Sequence, residues 1–185
     1  MSTRTAPGPR ERLLDAAQEL TYAQGMNVGV DALLKAAGVA RRSLYEHFGG
    51  KDGLIVEVLR RSTAEDVELY RQTMRKAGDD PRARLLAVFD GIAEVTTRPD
   101  FRGCRYLAAD LALPDPDHPG HEVTRAYRER VRGLLEHELR ELGHPRPVHA
   151  AAQLSLLIDG ALAAGATGSG ASARELAELV LAAAP

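Results

Sequence analysis

Arg41, Arg42, Ser43, Tyr45 and His47 fall in one short stretch of chain, interleaved with Leu44 and Phe48 four positions apart. In a helix, that interval turns Leu44 and Phe48 to one face and leaves the five polar side chains outward. Arginine can fork onto a guanine edge, and the hydroxyls and the imidazole can bond to phosphate or base. An apolar back with such a front suits a helix seated in a major groove, which binds without any covalent step. Nothing else in the chain competes as catalytic chemistry. There is no Gly-x-Ser-x-Gly elbow, no phosphate-cradling glycine loop ending in Lys-Ser/Thr and no HExxH. His118 and His121 sit in a proline-rich HPGH loop rather than at the i, i+4 helical spacing that aligns two metal ligands, and Cys104 is the single cysteine. The expectation is therefore no catalytic residues, no metal and no cofactor, with Cys104 a small apolar residue in a reducing compartment.

The elements that must hold this front are legible as apolar periodicity. A helix carrying Leu13, Leu14, Ala17 and Leu20 on one face should stop at Gly25. Val30 to Ala37 turns Leu33 and Leu34 inward, Gly38 makes a turn, and Ala40 to Phe48 follows. A short helix, a glycine turn and a second short helix make a helix-turn-helix pattern. A long helix then starts at Lys51 or Asp52 and carries Leu54, Ile55, Val58 and Leu59, ending at Gly78. Further helices are read from Pro81 to before Pro99, from about Cys104 to Leu113, and along the stripe Val123, Tyr127, Val131, Leu134, Leu135, Leu139 and Leu142, with Pro114 to Gly120 as a loop. Val148 to Ala166 is apolar nearly all round, which one buried stripe cannot explain, so it needs burial on two sides. A final helix, after a flexible Gly168-Ser169-Gly170 hinge, places Leu176, Leu179, Val180 and Ala183 together. The fold class is all-α with about nine helices: a flexible arm over residues 1–9, a three-helix helix-turn-helix DNA-binding domain over 10–50, and a second helical domain over 51–185.

The net charge of −2 hides an asymmetry. Residues 1–61 hold nine Lys and Arg against seven Asp and Glu, a surplus of two positive charges, whereas the remainder holds fifteen against nineteen. The basic surplus lies where the polar front lies, though it is too small to establish nucleic-acid binding alone. No apolar run free of charge approaches a membrane span, and no signal-like start appears, so a cytoplasmic protein with no membrane partner is expected. Abundant Ala, Arg, Gly and Pro beside only three Lys point to a GC-rich bacterial genome.

Ala36 to Phe48, AAGVARRSLYEHF, followed by Lys51, resembles the DNA-binding region of the TetR-type repressor family. The likeness runs in one block over about residues 10 to 60 and takes in the helix ending at Gly25, the AGV turn and the LYxHF sequence. It implies that Leu44 and Phe48 are core, that Arg41, Arg42, Ser43, Tyr45 and His47 face DNA, and that Lys51 grips phosphate at the start of the fourth helix. Gly29 stands where the family usually caps its second helix with Ser or Thr, Leu34 replaces a usual alanine, and Arg42 a usual small residue. The likeness also implies a double-stranded palindromic operator, a homodimer through the helices Val148–Ala166 and Ala173–Ala184, and release by a small organic effector.

For the effector, Phe89, Ile92, Tyr106, Leu107, Tyr127 and Leu157 with Asp110 together form a candidate pocket, although each taken singly reads more readily as core or packing. Asp159 shares that ambiguity. Two rivals stay open at this stage: a helical small-molecule-binding protein with a vestigial DNA-binding domain, which would bind DNA weakly or without salt dependence, and a small helical enzyme, which would need paired titratable groups in a cavity.

Overall fold

A computed structural model describes residues 6–165 and 169–182. Among them are nine helices and no strand: α1 Pro9–Gln24, α2 Val30–Ala37, α3 Arg41–Phe48, α4 Lys51–Lys76, α5 Pro81–Thr96, α6 Arg105–Ala112, α7 Pro119–Glu141, α8 Pro147–Ala164 and α9 Ser169–Leu181. Most of the arm expected over residues 1–9 lies outside the described residues, and Pro9 is already the first residue of α1. The chain divides into two compact units. One runs through Thr63 and includes Ala108–Thr124, and the other comprises Ala64–Leu107 and the residues from Arg125 onward.

The first unit is built on the apolar faces of its short helices. Leu13, Leu14 and Ala17 of α1, Leu33 and Leu34 of α2, Leu44 of α3, and Leu54 and Val58 of α4 form one buried cluster, with Val39 and Phe48 packed against it. Helices of eight residues are marginal alone, so burial of these side chains, each worth about 1.5–3 kcal/mol, holds α2 and α3 in place. The turn between them closes at Gly38, whose φ of 61° lies in the left-handed region and whose N–H donates to the carbonyls of Leu34 and Lys35. Gly49 ends α3 in the same way at φ 73°.

In the second unit, α5 supplies Leu85, Val88, Phe89 and Ile92, α7 Leu135 and Leu139, α8 Leu154, Ile158 and Ala161, and α9 Ala173, Ala177 and Leu181 to the buried interior. Asp80 caps α5 by accepting from the backbone N–H groups of Arg82 and Ala83. Over its 18 residues α8 has a mean hydropathy of 1.2 and is long enough to cross a bilayer. Ala150, Ala151, Leu154, Ile158 and Ala161 bury one side of this helix in its own unit, Gln153, Ser155 and Asp159 interrupt its apolar sequence, and Val148 and Leu156 stay exposed. The hinge expected at Gly168-Ser169-Gly170 is corrected in part. Ser169 and Gly170 open α9, with Gly170 buried against α5, while Gly168 lies outside the described residues.

Candidate nucleic-acid interface

Helix α3 has one buried anchor, Leu44, 1% exposed, around which its polar side chains splay outward. Tyr45 is 57% exposed, and Arg41, Arg42 and His47 are exposed too; Ser43 is half-buried. Lys51 is half-buried at the first position of α4. Neither Gly29 before α2 nor Ala40 before α3 offers a side-chain cap, so the leading N–H groups of both helices are left for solvent or an anion. That Gly29 lacks a hydroxyl is thus a real departure in capping chemistry.

Two ion pairs that sequence reasoning missed hold the arginines. Arg41 Nη2 donates to Asp31 Oδ1 at 2.5 Å, linking α3 to α2, and Arg42 Nε donates to Glu46 Oε1 at 2.5 Å within α3. Glu46 lies at i+4 from Arg42, a spacing that could have revealed that pair. Behind them, the Arg10 guanidinium sits 5.5 Å from the centroid of the Phe48 ring and donates to Glu57 at 3.2 Å. Arg61 reaches Asp15 at 2.7 Å. These contacts tie α1 and α4 to the base of α3, so Arg10 serves as a brace as well as a surface cation.

The effector candidates fall in several places. Tyr106 and Tyr127 stack with centroids 3.6 Å apart, and the Tyr106 hydroxyl donates to Asp66 Oδ2 at 2.8 Å. Tyr70 and Tyr127 share a hydroxyl hydrogen bond, and Arg105 lies 3.7 Å from Asp66. Burial pushes Asp66 above the usual carboxylate range against the pull of Arg105, and pushes Tyr70 up to about 12 and Tyr127 well up. Burial likewise raises Cys104 and Asp159, the latter opposed by Arg128 and Arg132. Asp66 and Tyr70 were missed, though their i, i+4 spacing on α4 was a signal. Phe89 and Ile92 are buried core of α5, and Leu107 is 37% exposed. Leu157 lines an open groove of about 440 Å³ with Arg146, Gln153, Leu156, Leu176 and Leu179. Asp110 belongs to the other unit, where its Oδ1 accepts from Thr124 at 2.7 Å and faces His121 Nδ1 at 3.0 Å. The Gly120 N–H donates to His118 Nδ1, and among the described residues no group of three His, Cys, Asp or Glu could hold a metal.

Residues 13–58, the stretch that builds α1 to α3 and the start of α4, match the family described as bacterial regulatory proteins, tetR family. The chain is similar to the HTH-type transcriptional regulator BetI of Stenotrophomonas maltophilia, 30% identical over 159 residues that span 83% of this chain and 79% of that one. It is similar in structure to SCO4454, a TetR-family transcriptional regulator from Streptomyces coelicolor, with 33% identity, a TM-score of 0.82 and 94% of each chain covered. At 18% identity and a TM-score of 0.77, the regulator CifR, solved with a 26-base-pair operator duplex, shares the fold over 100% of both chains. With the helix-turn-helix match and these relatives, the chain belongs to the TetR family of DNA-binding transcriptional regulators, which are not enzymes.

Proposed function

We propose that this regulator is a ligand-responsive repressor, working in the cytoplasm, that binds a palindromic operator as a homodimer and leaves it when a small organic molecule binds. The observation that carries the reading is the outward face of α3. Arg41, Arg42, Tyr45 and His47 stand exposed on a helix fixed from behind by Leu44, with Ser43 and Lys51 at its edges. These six side chains are the proposed DNA contacts, with the helix N-termini adding N–H groups for phosphate. The proposed division of labour is an arm over 1–9, DNA binding over 10–50, and effector binding with dimerisation over 51–185.

Homodimerisation through α8 and α9 is supported by what one copy leaves uncovered. Val148 and Leu156 of α8 and Leu176 and Leu179 of α9 are 58%, 72%, 48% and 70% exposed, a concentration of apolar surface that a second copy would bury. The effector reading is supported by the Tyr70, Tyr106 and Tyr127 cluster with its raised carboxyl Asp66, which offers aromatic faces and few polar groups. A ligand then acts by linkage. It weakens operator binding only as far as it prefers a conformation whose recognition helices no longer match grooves roughly 34–36 Å apart.

The test is selection of bound sequences from a random duplex pool by the purified chain at near-physiological salt. Recovery of an inverted repeat is the expected result. Salt-insensitive binding, or none with any candidate effector removed, would instead favour a small-molecule-binding protein with a vestigial helix-turn-helix.

A further inference from the structure

We propose that Asp31, on α2, is a specificity-determining positioning residue: its carboxylate fixes the Arg41 guanidinium so that the remaining donors are presented to one base edge. The inference rests on the reading of α3 as the recognition helix.

The Asp31 to Arg41 pair crosses the turn between two helices, unlike the Arg42 to Glu46 pair, which lies along α3 itself. Asp31 sits in the first turn of α2, where Leu33 and Leu34 are 0% and 8% exposed and hold the backbone still. The backbone beneath the carboxylate is thus fixed, and Arg41 reaches that carboxylate through Nη2. The guanidinium carries five N–H donors in a planar fork, so with one Nη2 proton on Asp31 at 2.5 Å the second Nη2 proton remains beside Nε–H or Nη1–H to complete a two-donor edge. A fork held in that way suits the paired O6 and N7 acceptors of guanine.

The pair has no comparable purpose in folding. Asp31 and Arg41 side chains are 88% and 54% exposed, and ion pairs so exposed contribute little to stability. On a DNA-facing surface the carboxylate also repels phosphate, which weakens binding to every sequence alike. Orientation of Arg41 offsets that cost for one sequence only, because a side chain already held loses less freedom on binding. Asp31 therefore separates operator from non-operator DNA in two ways, by lowering the affinity for any duplex and by restoring it where Arg41 meets its base.

The experiment uses the full chain, wild type beside Asp31→Asn, Arg41→Ala and the double variant. Each is titrated by fluorescence anisotropy with the duplex recovered by the wild-type selection and with a scrambled duplex of the same length, and each is melted as a control. Asp31→Asn is expected to weaken the recovered duplex by about three- to tenfold, from the lost pre-ordering of one long side chain, while the scrambled duplex binds more tightly. In the Arg41→Ala background, Asp31→Asn should no longer weaken the recovered duplex. Equal tightening on both duplexes would make Asp31 a mere repulsive charge, and parallel weakening with a lowered melting temperature would make it a mere fold contact; either overturns the proposal, as does no change. If the wild type recovers no common sequence, the recognition-helix reading itself fails and takes this assignment with it.

Discussion

Replacing Gly170 with alanine sets helix propensity against packing. By propensity, glycine in a helix is worse than alanine by about 0.5–1 kcal/mol, so the change should stabilise α9. The structure reverses the sign. A Cβ at Gly170 would lie 2.5 Å from Ala93 Cα, 3.1 Å from Ala93 Cβ and 3.0 Å from Thr96 Oγ1, all on α5. Carbon pairs settle at about 3.5–4.0 Å, so α9 must retreat by roughly 1 Å, and the obstacle is backbone rather than a side chain that can swing away. Overpacking of this kind costs about 1–3 kcal/mol, which leaves a net loss of up to roughly 2.5 kcal/mol after the propensity gain. For a chain of this length that is a fall in Tm of up to roughly 10 °C. Gly133 on α7 supplies the control, because a Cβ there meets nothing within 4 Å. Gly133→Ala should raise Tm by roughly 1–4 °C. Thermal unfolding at matched protein concentration checks both. A Gly170→Ala chain that melts at or above the wild-type temperature would refute the close approach of α9 to α5.

Three further outcomes follow from the buried polar groups and the recognition helix. Tyr70, pushed up to about 12 by burial, stabilises the fold fully below the ordinary tyrosine value of 10.0 and loses that contribution as pH rises toward 12. The tyrosinate absorbance should accordingly show a late alkaline phase, which Tyr70→Phe diminishes. His121 is raised above 6.5 by its hydrogen bond to Asp110, so its contribution is complete below that value and fades as pH climbs through the raised one. Urea unfolding at about pH 6 and about pH 8 should show a loss of stability that His121→Gln abolishes. Leu44→Ala empties the one fully buried anchor of α3 and should cost about 2–5 kcal/mol, read as a lowered urea midpoint of the helix-turn-helix together with lost DNA binding.

The helix-turn-helix was legible because its signals are local. Val30 to Ala37 has the bounds that periodicity and Gly38 imply, and Ala40 proves to be the residue before α3 rather than its first turn. Pro119 belongs by sequence to the proline-rich loop, yet it opens α7, where the missing N–H costs nothing. Leu142 continues the apolar stripe of α7 in sequence but follows its last helical residue, Glu141. The apolar excess of α8 was visible as a demand for burial on two sides, and half of that demand is met by its own unit. Other contacts were not legible, since their partners meet only after folding. Asp31 and Arg41 are on opposite sides of a turn, and Asp66, Tyr70, Tyr106 and Tyr127 come from α4, α6 and α7. Nor did glycine content disclose that Gly170 is a packing residue, because a glycine needed for space and one needed for a turn look alike in sequence.

The most direct test of a dimer reading two major grooves through α3 is an anisotropy titration against the recovered repeat and against the same repeat with about half a helical turn, roughly five base pairs, inserted at its centre. The account predicts tight binding to the first that falls steeply with salt, and loss of most of that affinity on the second as the half-sites rotate away from each other. Equal affinity for the two duplexes, insensitive to salt, would contradict it.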